Sequence, residues 1–513
     1  MTANTAQTQQ CGISKAPSFG DVCLLGLGVT GRAVLDYFLT CPEQYRSLSI
    51  FGASASEREN LSQKLSHKKL PNNIAIYDTC ESSCESSCES SCESSCESSC
   101  ESDGRFYDTA IASPGIPPHD RLYRYAQEHA AEVISEPEMA WRISPARWAG
   151  ISGTNGKTTT TALLTHLLKT AGMQARAVGN IGNPCIRAIM ERASDEYLVT
   201  ELSSYQLFST LRFAPDAAIL LGITPDHLSW HGSHEAYTQA KLMLLANLDK
   251  RAPVVIDATK EPTLQAVREL REAGHNVIGI GTAEGLFSSM VKRCGAPNAA
   301  YVALASRTLT VVLDGSVHAL CHAADLKIRG AHNLTNALAA ATVAISLGAS
   351  DADVSAGLKS FEPLEHRFEP CGEVNGVRFF NDSKATNTDA SIKAVEAFGD
   401  AEGRRVIALF GGRDKGTELS ELVTACSRNC HTVICYGEAG ARFYKAFNPF
   451  KVFKTVLVDG FQTACEVAVS SSSRGDIVLL SPACASFDEF SCFEDRGLAF
   501  KKFVSELDSE VSS

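Results

Sequence analysis

Seven consecutive residues, Gly153-Thr154-Asn155-Gly156-Lys157-Thr158-Thr159, constrain what this chain can fold into more than any other segment. They follow a short apolar run, Trp148 to Ile151, and precede an apolar-periodic stretch that continues through Leu168. Glycines let backbone N–H groups close around phosphate oxygens at a helix N-terminus, a lysine adds a point charge, and a threonine hydroxyl can ligate magnesium. The order of strand, turn and helix therefore predicts a phosphate-binding loop in an α/β domain with a parallel sheet.

The same order recurs along the chain, whose 513 residues suffice for about three domains. An earlier copy starts with the apolar run Val22–Leu25, which leads into the glycine-rich turn Gly26–Gly31. Other short apolar runs predict strands at Leu48–Phe51, Ile74–Tyr77, Asp108–Ala112, Trp148–Ile151, Tyr197–Thr200, Ala217–Leu221, Val254–Ile256, Val377–Asn381, Val406–Gly411, Thr432–Tyr436 and Ile477–Leu480. We expect an α/β protein with a disordered tail (1–19), an N-terminal Rossmann-like parallel sheet (20–146), a central P-loop ATPase-like domain (147–362) and a C-terminal Rossmann-like domain (363–513).

Composition and charge exclude several classes of protein. No stretch approaches the roughly 18 apolar residues of a membrane span, and the polar first twenty residues do not look like a signal peptide. The net charge of −12 offers no diffuse attraction for nucleic acid. Six of the 19 cysteines belong to one repeat, and the other 13 have no regular spacing, which is typical of reduced thiols. We expect a cytoplasmic monomer with no membrane or nucleic-acid partner.

The repeat, Cys80–Ser102, has the unit Cys-Glu-Ser-Ser with a strict period of four. It contains no aliphatic or aromatic residue, so it cannot bury a core and is expected to be a mobile surface insertion. Cysteines at this spacing could bind a soft metal, but no histidine or CxxC pair accompanies them. A tolerated repeat expansion is the better interpretation.

A triphosphate site also needs groups that hold its metal. Glu201 directly follows the predicted strand Tyr197–Thr200, and a carboxylate there is a natural magnesium ligand. His227 after another strand and Lys241 in the helical stretch Tyr237–Leu248 are weaker candidates, since a lone histidine or lysine is more often a surface residue. Glu201 by itself would also more often be an ordinary exposed acid.

The turn Gly26–Gly31 matches the dinucleotide fingerprint, but the second predicted strand ends in Phe51-Gly52-Ala53-Ser54, without the acid that would bind a ribose. This argues against NAD, although the turn can receive a pyrophosphate from another nucleotide. Polar clusters that follow other strands or open a helix suggest a shared cleft, because ligands gather at the carboxyl ends of parallel strands. These clusters are Ser113–Ile116, Gly330–Asn336, Asn381–Asn387 and Ser481–Asp488.

Taken in order, the motifs of the chain resemble the Mur ligase family over nearly its whole length outside the tail and the repeat. The shared motifs are GTNGKT from Gly153, ELSSYQL from Glu201, Asp226-His227, Lys241, HNLTN from His332 and HRFE from His366. SPGI from Ser113, NDSKATN from Asn381 and SPACASFDEF from Ser481 are similar to the family members that add D-glutamate.

The resemblance implies roles for individual residues. Lys157, His227, Lys241 and Lys384 would be catalytic, and Thr158, Glu201, His227 and Lys241, the last as a carbamate, would hold two Mg²⁺ ions. ATP would be bound by Gly153, Thr154, Asn155, Gly156, Lys157, Thr158, Thr159, Asn180, Asn333, Arg367 and Asp382. The uridine diphosphate would meet Val29, Thr30 and Ser113, and glutamate would meet Lys384, Thr386, Lys415, Ser486 and Phe487.

The implied activity is ATP-dependent ligation of D-glutamate to UDP-N-acetylmuramoyl-L-alanine through an acyl phosphate, in peptidoglycan synthesis. Three alternatives stay open at this point. A sibling ligase that adds another amino acid, or glutamate to folate, would share the ATP machinery. A P-loop ATPase or nucleotide-binding regulator would hydrolyse ATP without an amine substrate, and a nicotinamide-dependent oxidoreductase is disfavoured by the missing strand-end acid.

Overall fold

The computed structural model describes residues 18–54, 57–59, 61, 74–78, 105–259, 261–281, 298–398 and 405–512. They form two compact units: the described residues up to Gly279 with Thr342–Ala349, and Ile280–Ala341 with the described residues from Ser350 onward. The repeat Cys80–Ser102 and positions 1–17 of the predicted tail lie outside the described residues. Phe19, also placed in the tail, is buried, and its N–H donates to the Gln44 carbonyl at 2.8 Å, so this residue of the predicted tail is part of the folded unit.

The first unit begins with a five-stranded parallel sheet in the order β3-β2-β1-β4-β5. Both faces of its central strands are mostly apolar and buried, as is typical of parallel sheets covered by helices. The strands are β1 Asp21–Leu25, β2 Ser47–Ala53, β3 Ile74–Asp78, β4 Thr109–Ala112 and β5 Val133–Ser135. The helices are α1 Val29–Thr40, a 3-10 turn Pro42–Gln44, α2 Arg121–His129 and α3 Glu136–Ile143.

The same unit contains a second run of strands in the order β11-β10-β9-β6-β8-β7. These strands are β6 Trp148–Ser152, β7 Ala175–Gly179, β8 Tyr197–Glu201, β9 Ala217–Leu220, β10 Val254–Asp257 and β11 Val277–Ile280. The helices are α4 Lys157–Thr170, α5 Cys185–Glu191, α6 Ser204–Phe208, α7 Leu228–His231, α8 His234–Leu242 with a 3-10 turn Met243–Leu245, and α9 Thr263–Glu272. The helix predicted over Tyr237–Leu248 therefore ends at Leu242, where it tightens into the 3-10 turn.

The second unit holds the antiparallel strands β12 Ala299–Val302, β13 Thr308–Leu313 and β14 Ser316–His322, then a 3-10 turn Ala323–Asp325 and α11 Asp351–Ser360. Helix α10, Ala331–Ser346, belongs to the second unit up to Ala341 and to the first unit from Thr342. Its six-stranded sheet has the order β15-β16-β20-β17-β18-β19, with only the β15–β16 pair antiparallel. Its strands are β15 Glu369–Val374, β16 Val377–Asn381, β17 Val406–Gly411, β18 Cys430–Tyr436, β19 Lys454–Leu457 and β20 Ile477–Ala483. The helices around them are α12 Thr388–Ala397, α13 Ser420–Asn429, α14 Gly437–Phe447, α15 Phe461–Ser470 and α16 Phe493–Ser512.

The α/β class is confirmed, and every strand predicted from an apolar run is present, with small shifts at the ends. The five-stranded sheet, the strands β6 to β14 and the six-stranded sheet each lie within one of the three predicted ranges. The domain boundaries themselves stay a prediction. None of the described helices has both the length and the apolar character needed to cross a membrane, and no disulfide joins the described cysteines.

Candidate functional site

The predicted phosphate loop connects β6 to α4, and two of its glycines are required by its geometry. Gly156 caps α4 with φ of 85°, and Gly153 has φ of 145°, both in the region that favours glycine. A Cβ atom on Gly153 would lie 2.6 Å from Leu221 Cβ. Thr158 and Thr159 are buried in the first turn of α4. Because this turn contains no acidic residue, the positive N-terminus of the helix is suited to bind an anion.

Two lysine amines share one carbonyl oxygen of this loop. Lys157 Nζ donates to the carbonyl oxygens of Gly153 and Thr154 at 3.0 and 2.9 Å, and Lys241 Nζ donates to that of Gly153 at 2.7 Å. Burial lowers the pKa of Lys241 well below its ordinary value, and repulsion from Lys157 lowers it further, against opposing effects of Asp226 and Glu201. The neutral amine of Lys241 is thereby favoured.

Tyr237 is a site residue that the sequence did not single out. Its hydroxyl lies 3.0 Å from Thr154 Oγ1, and its ring centroid lies 4.7 Å from Lys241 Nζ. Tyr237 and Lys241 are one helical turn apart on the buried face of α8. That spacing of four residues is the signal that could have identified it.

Glu201, at the end of β8, is 2% exposed rather than an ordinary surface acid. Its Oε1 accepts a 2.8 Å hydrogen bond from Asn180 Nδ2, and its backbone carbonyl accepts one from Asn180 N–H at 2.9 Å. Its other oxygen, Oε2, is buried and has no hydrogen-bond partner among the described residues. A buried carboxylate oxygen without a partner beside a phosphate loop is suited to ligate a divalent cation.

His227 precedes α7 in a left-handed conformation, with φ of 54°. Its Nε2 lies 3.7 Å from a carboxylate oxygen of Asp226, and its ring packs 4.9 Å from that of Tyr205. One turn later, His231 Nε2 lies 2.9 Å from Ser204 Oγ, and burial lowers the pKa of His231 to about 4. His231 is therefore neutral near pH 7. His227 is the more exposed of the two imidazoles and is suited to ligate a metal ion.

The candidate uridine residues lie where β1 and β4, which are neighbours, end. Ser113 Oγ donates to the Gly26 carbonyl at 3.2 Å, whereas Val29 at the start of α1 is 77% exposed beside Thr30. A Cβ atom on Gly31 would lie 1.9 Å from the Gly26 carbonyl oxygen, so only glycine allows this close turn. The structure thus brings Val29, Thr30 and Ser113 to the same edge of the sheet.

In the second unit, Asp382 follows β16 and accepts a 2.9 Å hydrogen bond from Ser481 Oγ. Burial raises the pKa of Asp382 to about 7, against the effects of Ser481 and Arg367. Asn333 lies in the first turn of α10, where its Nδ2 donates to the Arg329 carbonyl at 2.7 Å. These hydrogen bonds fix the orientations of the Asp382 and Asn333 side chains.

The segments after β16 and β20 lie side by side, because those strands pair in parallel. They carry most of the candidate glutamate residues. Lys384 Nζ lies 5.1 Å from the centroid of the Phe493 ring, Ser486 is buried, and Phe487 is 62% exposed. Thr386 is half-buried, and Lys415 lies in an exposed loop after β17.

Arg496 on α16 is the other residue that sequence reasoning missed. It is fully buried, and it donates to oxygens of Ser383, Cys484 and Ala485. It thereby fixes both strand-end segments. No sequence signal identifies it, since it is one arginine within an ordinary helical pattern.

A glycine-rich loop between a strand and a helix, with buried cationic and acidic side chains in an α/β fold, is typical of nucleotide-binding enzymes. Family models agree: the Mur ligase middle domain matches residues 151–344, and the Mur ligase glutamate ligase domain matches residues 366–484. A UDP-N-acetylmuramoylalanine–D-glutamate ligase of Thermoanaerobacter sp. (strain X514) is 36% identical over 402 residues, 78% of this chain and 84% of that protein. A ligase of the same name from Alkaliphilus metalliredigens is 37% identical over the same shares. The chain belongs to the Mur ligase family.

Solved structures agree with the fold. A MurF ligase from Thermotoga maritima in complex with ADP has a TM-score of 0.52 at 18% identity, covering 78% of this chain and 96% of that one. A pseudomurein peptide ligase type C from Methanothermus fervidus has a TM-score of 0.54 at 14% identity, covering 95% and 99%. At these identities the likeness concerns the fold alone.

Proposed function

We propose that this chain joins the amine of D-glutamate to the alanine carboxylate of UDP-N-acetylmuramoyl-L-alanine, with conversion of ATP to ADP and phosphate, in peptidoglycan precursor synthesis. The observation that carries the proposal is the 36–37% identity, over 78% of the chain, to ligases named for this reaction. The segments Ser113–Ile116, Asn381–Asn387 and Ser481–Phe490 support the choice of D-glutamate. The cytoplasmic location and the monomeric state stay predictions from the sequence.

The residues fit the chemistry of such a ligation. A carboxylate is a poor electrophile, so the γ-phosphoryl group of ATP is first transferred to the alanine carboxylate, which gives an acyl phosphate. The amine of glutamate then attacks the carbonyl carbon, phosphate leaves, and the amine loses a proton. Lys157 and the N-terminus of α4 would offset the charge of the phosphates, which is the main contribution a protein makes to phosphoryl transfer.

Two Mg²⁺ ions would neutralise further phosphate charge. The unpartnered, buried Oε2 of Glu201 fits such an ion, and Thr158 and His227 offer a hydroxyl and an imidazole. An ammonium group has no lone pair with which to ligate a metal. A carbamate, formed when the neutral amine of Lys241 adds CO₂ and releases a proton, would present oxygen ligands, and the lowered pKa of Lys241 favours that neutral amine.

The other predicted roles are part of the same proposal. The nucleotide would be held by the phosphate loop together with Asn180, Asn333, Arg367 and Asp382. Val29, Thr30 and Ser113 would contact the uridine diphosphate. Glutamate, which carries two carboxylates, would meet Lys384, Thr386, Lys415, Ser486 and Phe487.

Phosphate release tests the proposal when ATP, Mg²⁺ and UDP-N-acetylmuramoyl-L-alanine are combined with D-Glu, L-Glu, L-Lys or L-Ala in turn. We expect release with D-Glu alone. Release with a different amino acid would indicate a sibling ligase, and equal release without any amine would indicate a P-loop ATPase.

A further inference from the structure

Helix α3 carries two buried acids in its first turn, Glu136 and Glu138, which are 1% and 0% exposed. A buried carboxylate is costly unless it is hydrogen-bonded or paired. Both carboxylates accept hydrogen bonds from backbone N–H groups of other segments of the same unit. The two differ in which segment they hold and in whether a cation accompanies them.

Glu136 holds the start of α5. Its Oε1 accepts a hydrogen bond from the backbone N–H of Ile186, in the first turn of that helix. The N-cap of α5, Pro184, offers no side-chain hydrogen bond, and the first turn contains no acidic residue. Glu136 thus supplies from another helix the carboxylate that α5 lacks at this end.

The loop directly before α5 carries Asn180. Asn180 begins this loop. Its side-chain amide donates to the Glu201 carboxylate at 2.8 Å, and its backbone N–H donates to the Glu201 carbonyl at 2.9 Å. At its end, the chain enters α5 and is held through Ile186 by Glu136. The loop is closed by a hydrogen bond from the Gly179 N–H to the Asn183 carbonyl at 3.0 Å, and beyond this closure one end is held on the candidate metal ligand and the other, through α5, on α3.

Glu138 has a different set of partners. It accepts hydrogen bonds from the N–H groups of Leu211, Arg212 and Phe213, the shortest at 2.8 Å, and it forms an ion pair with Arg142 at 2.8 Å. Among the described residues, no lysine or arginine forms an ion pair with Glu136. Glu138 is therefore a matched control, a buried acid of the same turn that is compensated by a cation.

We infer that Glu136 is a positioning residue for the Asn180 loop: its ionised carboxylate, through Ile186, keeps Asn180 seated against Glu201. The inference rests on the proposed function, in which Asn180 contacts ATP. A bond to an ionised acceptor is about twice as strong as a neutral one. Protonation of Glu136 therefore loosens the loop without removing any group that touches substrate.

The ionisation falls in an accessible range, because burial raises the pKa of Glu136 to about 7, against the lowering effect of the Ile186 bond. On α5, the Cys185 thiol faces this carboxyl, and its own pKa is raised, so it stays neutral. The other charged groups of α1, α3 and α5 are paired. Arg32 pairs with Glu57, Asp36 with Arg187 at 3.3 Å, Glu191 with Arg176 at 3.0 Å, and Arg142 with Glu138.

The test is the pH dependence of kcat/KM for ATP in the wild type and in Glu136→Gln, which keeps the shape and one acceptor oxygen. Groups common to both proteins cancel in the ratio of wild type to variant. We expect a ratio near one at pH 6 that rises to about threefold to tenfold at pH 8, with a midpoint near 7. The ratio for Glu138→Gln should not change with pH.

A flat ratio for Glu136→Gln, or the same pH step in Glu138→Gln, would overturn the inference. If Glu136→Gln does not fold, hydrogen exchange in the wild type replaces it. Protection of the Ile186 amide, corrected for intrinsic rates, should then rise as pH passes 7, and constant protection would refute the role. Absence of any amide product from the wild type at every pH would instead refute the proposed function, so the two failures are distinguishable.

Discussion

Replacing Arg496 tests how the second unit holds its strand-end segments. The guanidinium is fully buried and makes four hydrogen bonds: Nε to Ser383 Oγ at 3.0 Å, Nη2 to the carbonyls of Ser383 and Cys484 at 2.9 and 3.1 Å, and Nη1 to that of Ala485 at 3.3 Å. Arg496→Met keeps much of the side-chain volume and removes every donor.

The expected loss of stability follows from two opposing contributions. Hydrogen bonds to a charged group contribute about 1.5 to 3 kcal/mol each, so four represent roughly 6 to 12 kcal/mol. The buried cation, however, costs several kcal/mol of desolvation, and this cost disappears with it. We expect a net loss of about 3 kcal/mol, together with a higher KM for D-Glu, because Ser383 and Ala485 adjoin Lys384 and Ser486.

Urea unfolding and the KM for D-Glu measure these two effects. Lys502→Met is the control, since Lys502 lies on the same helix with a 78% exposed side chain and pairs with Glu506 only at 3.7 Å. It should leave both quantities unchanged. If Arg496→Met has the urea midpoint and the KM of the wild type, the buried guanidinium does not fix these segments and the reasoning is wrong.

Four further predictions follow from the site and the chain. Lys241→Ala should be nearly inactive and partly rescued by short carboxylates, whereas Lys241→Arg stays inactive; full activity of either would exclude the carbamate. Lys384→Ala should raise the KM for D-Glu or lower turnover at least tenfold, as expected for a lost charge-assisted bond worth about 1.5 to 3 kcal/mol, and an unchanged dependence on D-Glu would remove Lys384 from the site. Folding raises the pKa of Glu136 from 4.5 to about 7, so the folded state loses stability as the carboxyl ionises. In urea unfolding, the free energy of unfolding of the wild type should fall by up to about 3 kcal/mol relative to that of Glu136→Gln as the pH rises from 5 to 8. Parallel plots of this free energy against pH for the two proteins would contradict the prediction. Deletion of Cys84–Ser99 should leave ligase activity within about twofold, since a longer surface loop costs little, and loss of activity would favour a metal or redox role for the repeat.

Much of the fold could be predicted from the sequence because its central strands are buried on both faces. Such strands appear as continuous apolar runs, and β17, predicted at Val406–Gly411, has those ends in the structure. The strands that were missed are short or partly exposed. Strand β14, Ser316–His322, is mostly exposed and has one neighbouring strand, β13. Its sequence therefore mixes polar and apolar residues.

The site was predictable where one segment carries its own chemistry and unpredictable where distant segments meet. The phosphate loop is recognisable from its glycines and Lys157. The sharing of one Gly153 carbonyl by Lys157 and Lys241 depends on how α8 packs, which no local pattern encodes. Three of the four hydrogen bonds of Arg496, and that of Glu136, go to backbone groups of other segments. The identity of the partner side chains therefore gives no sign of them.

Isotope transfer tests the central claim most directly. The alanine carboxylate of UDP-N-acetylmuramoyl-L-alanine is labelled with ¹⁸O, and the phosphate formed with ATP and D-Glu is analysed by mass spectrometry. The account predicts one ¹⁸O atom in the phosphate for each amide formed, because the bridging oxygen of the acyl phosphate comes from the carboxylate. Unlabelled phosphate, or phosphate released equally without D-Glu, would mean that ATP is hydrolysed by water and that the chain is not this ligase.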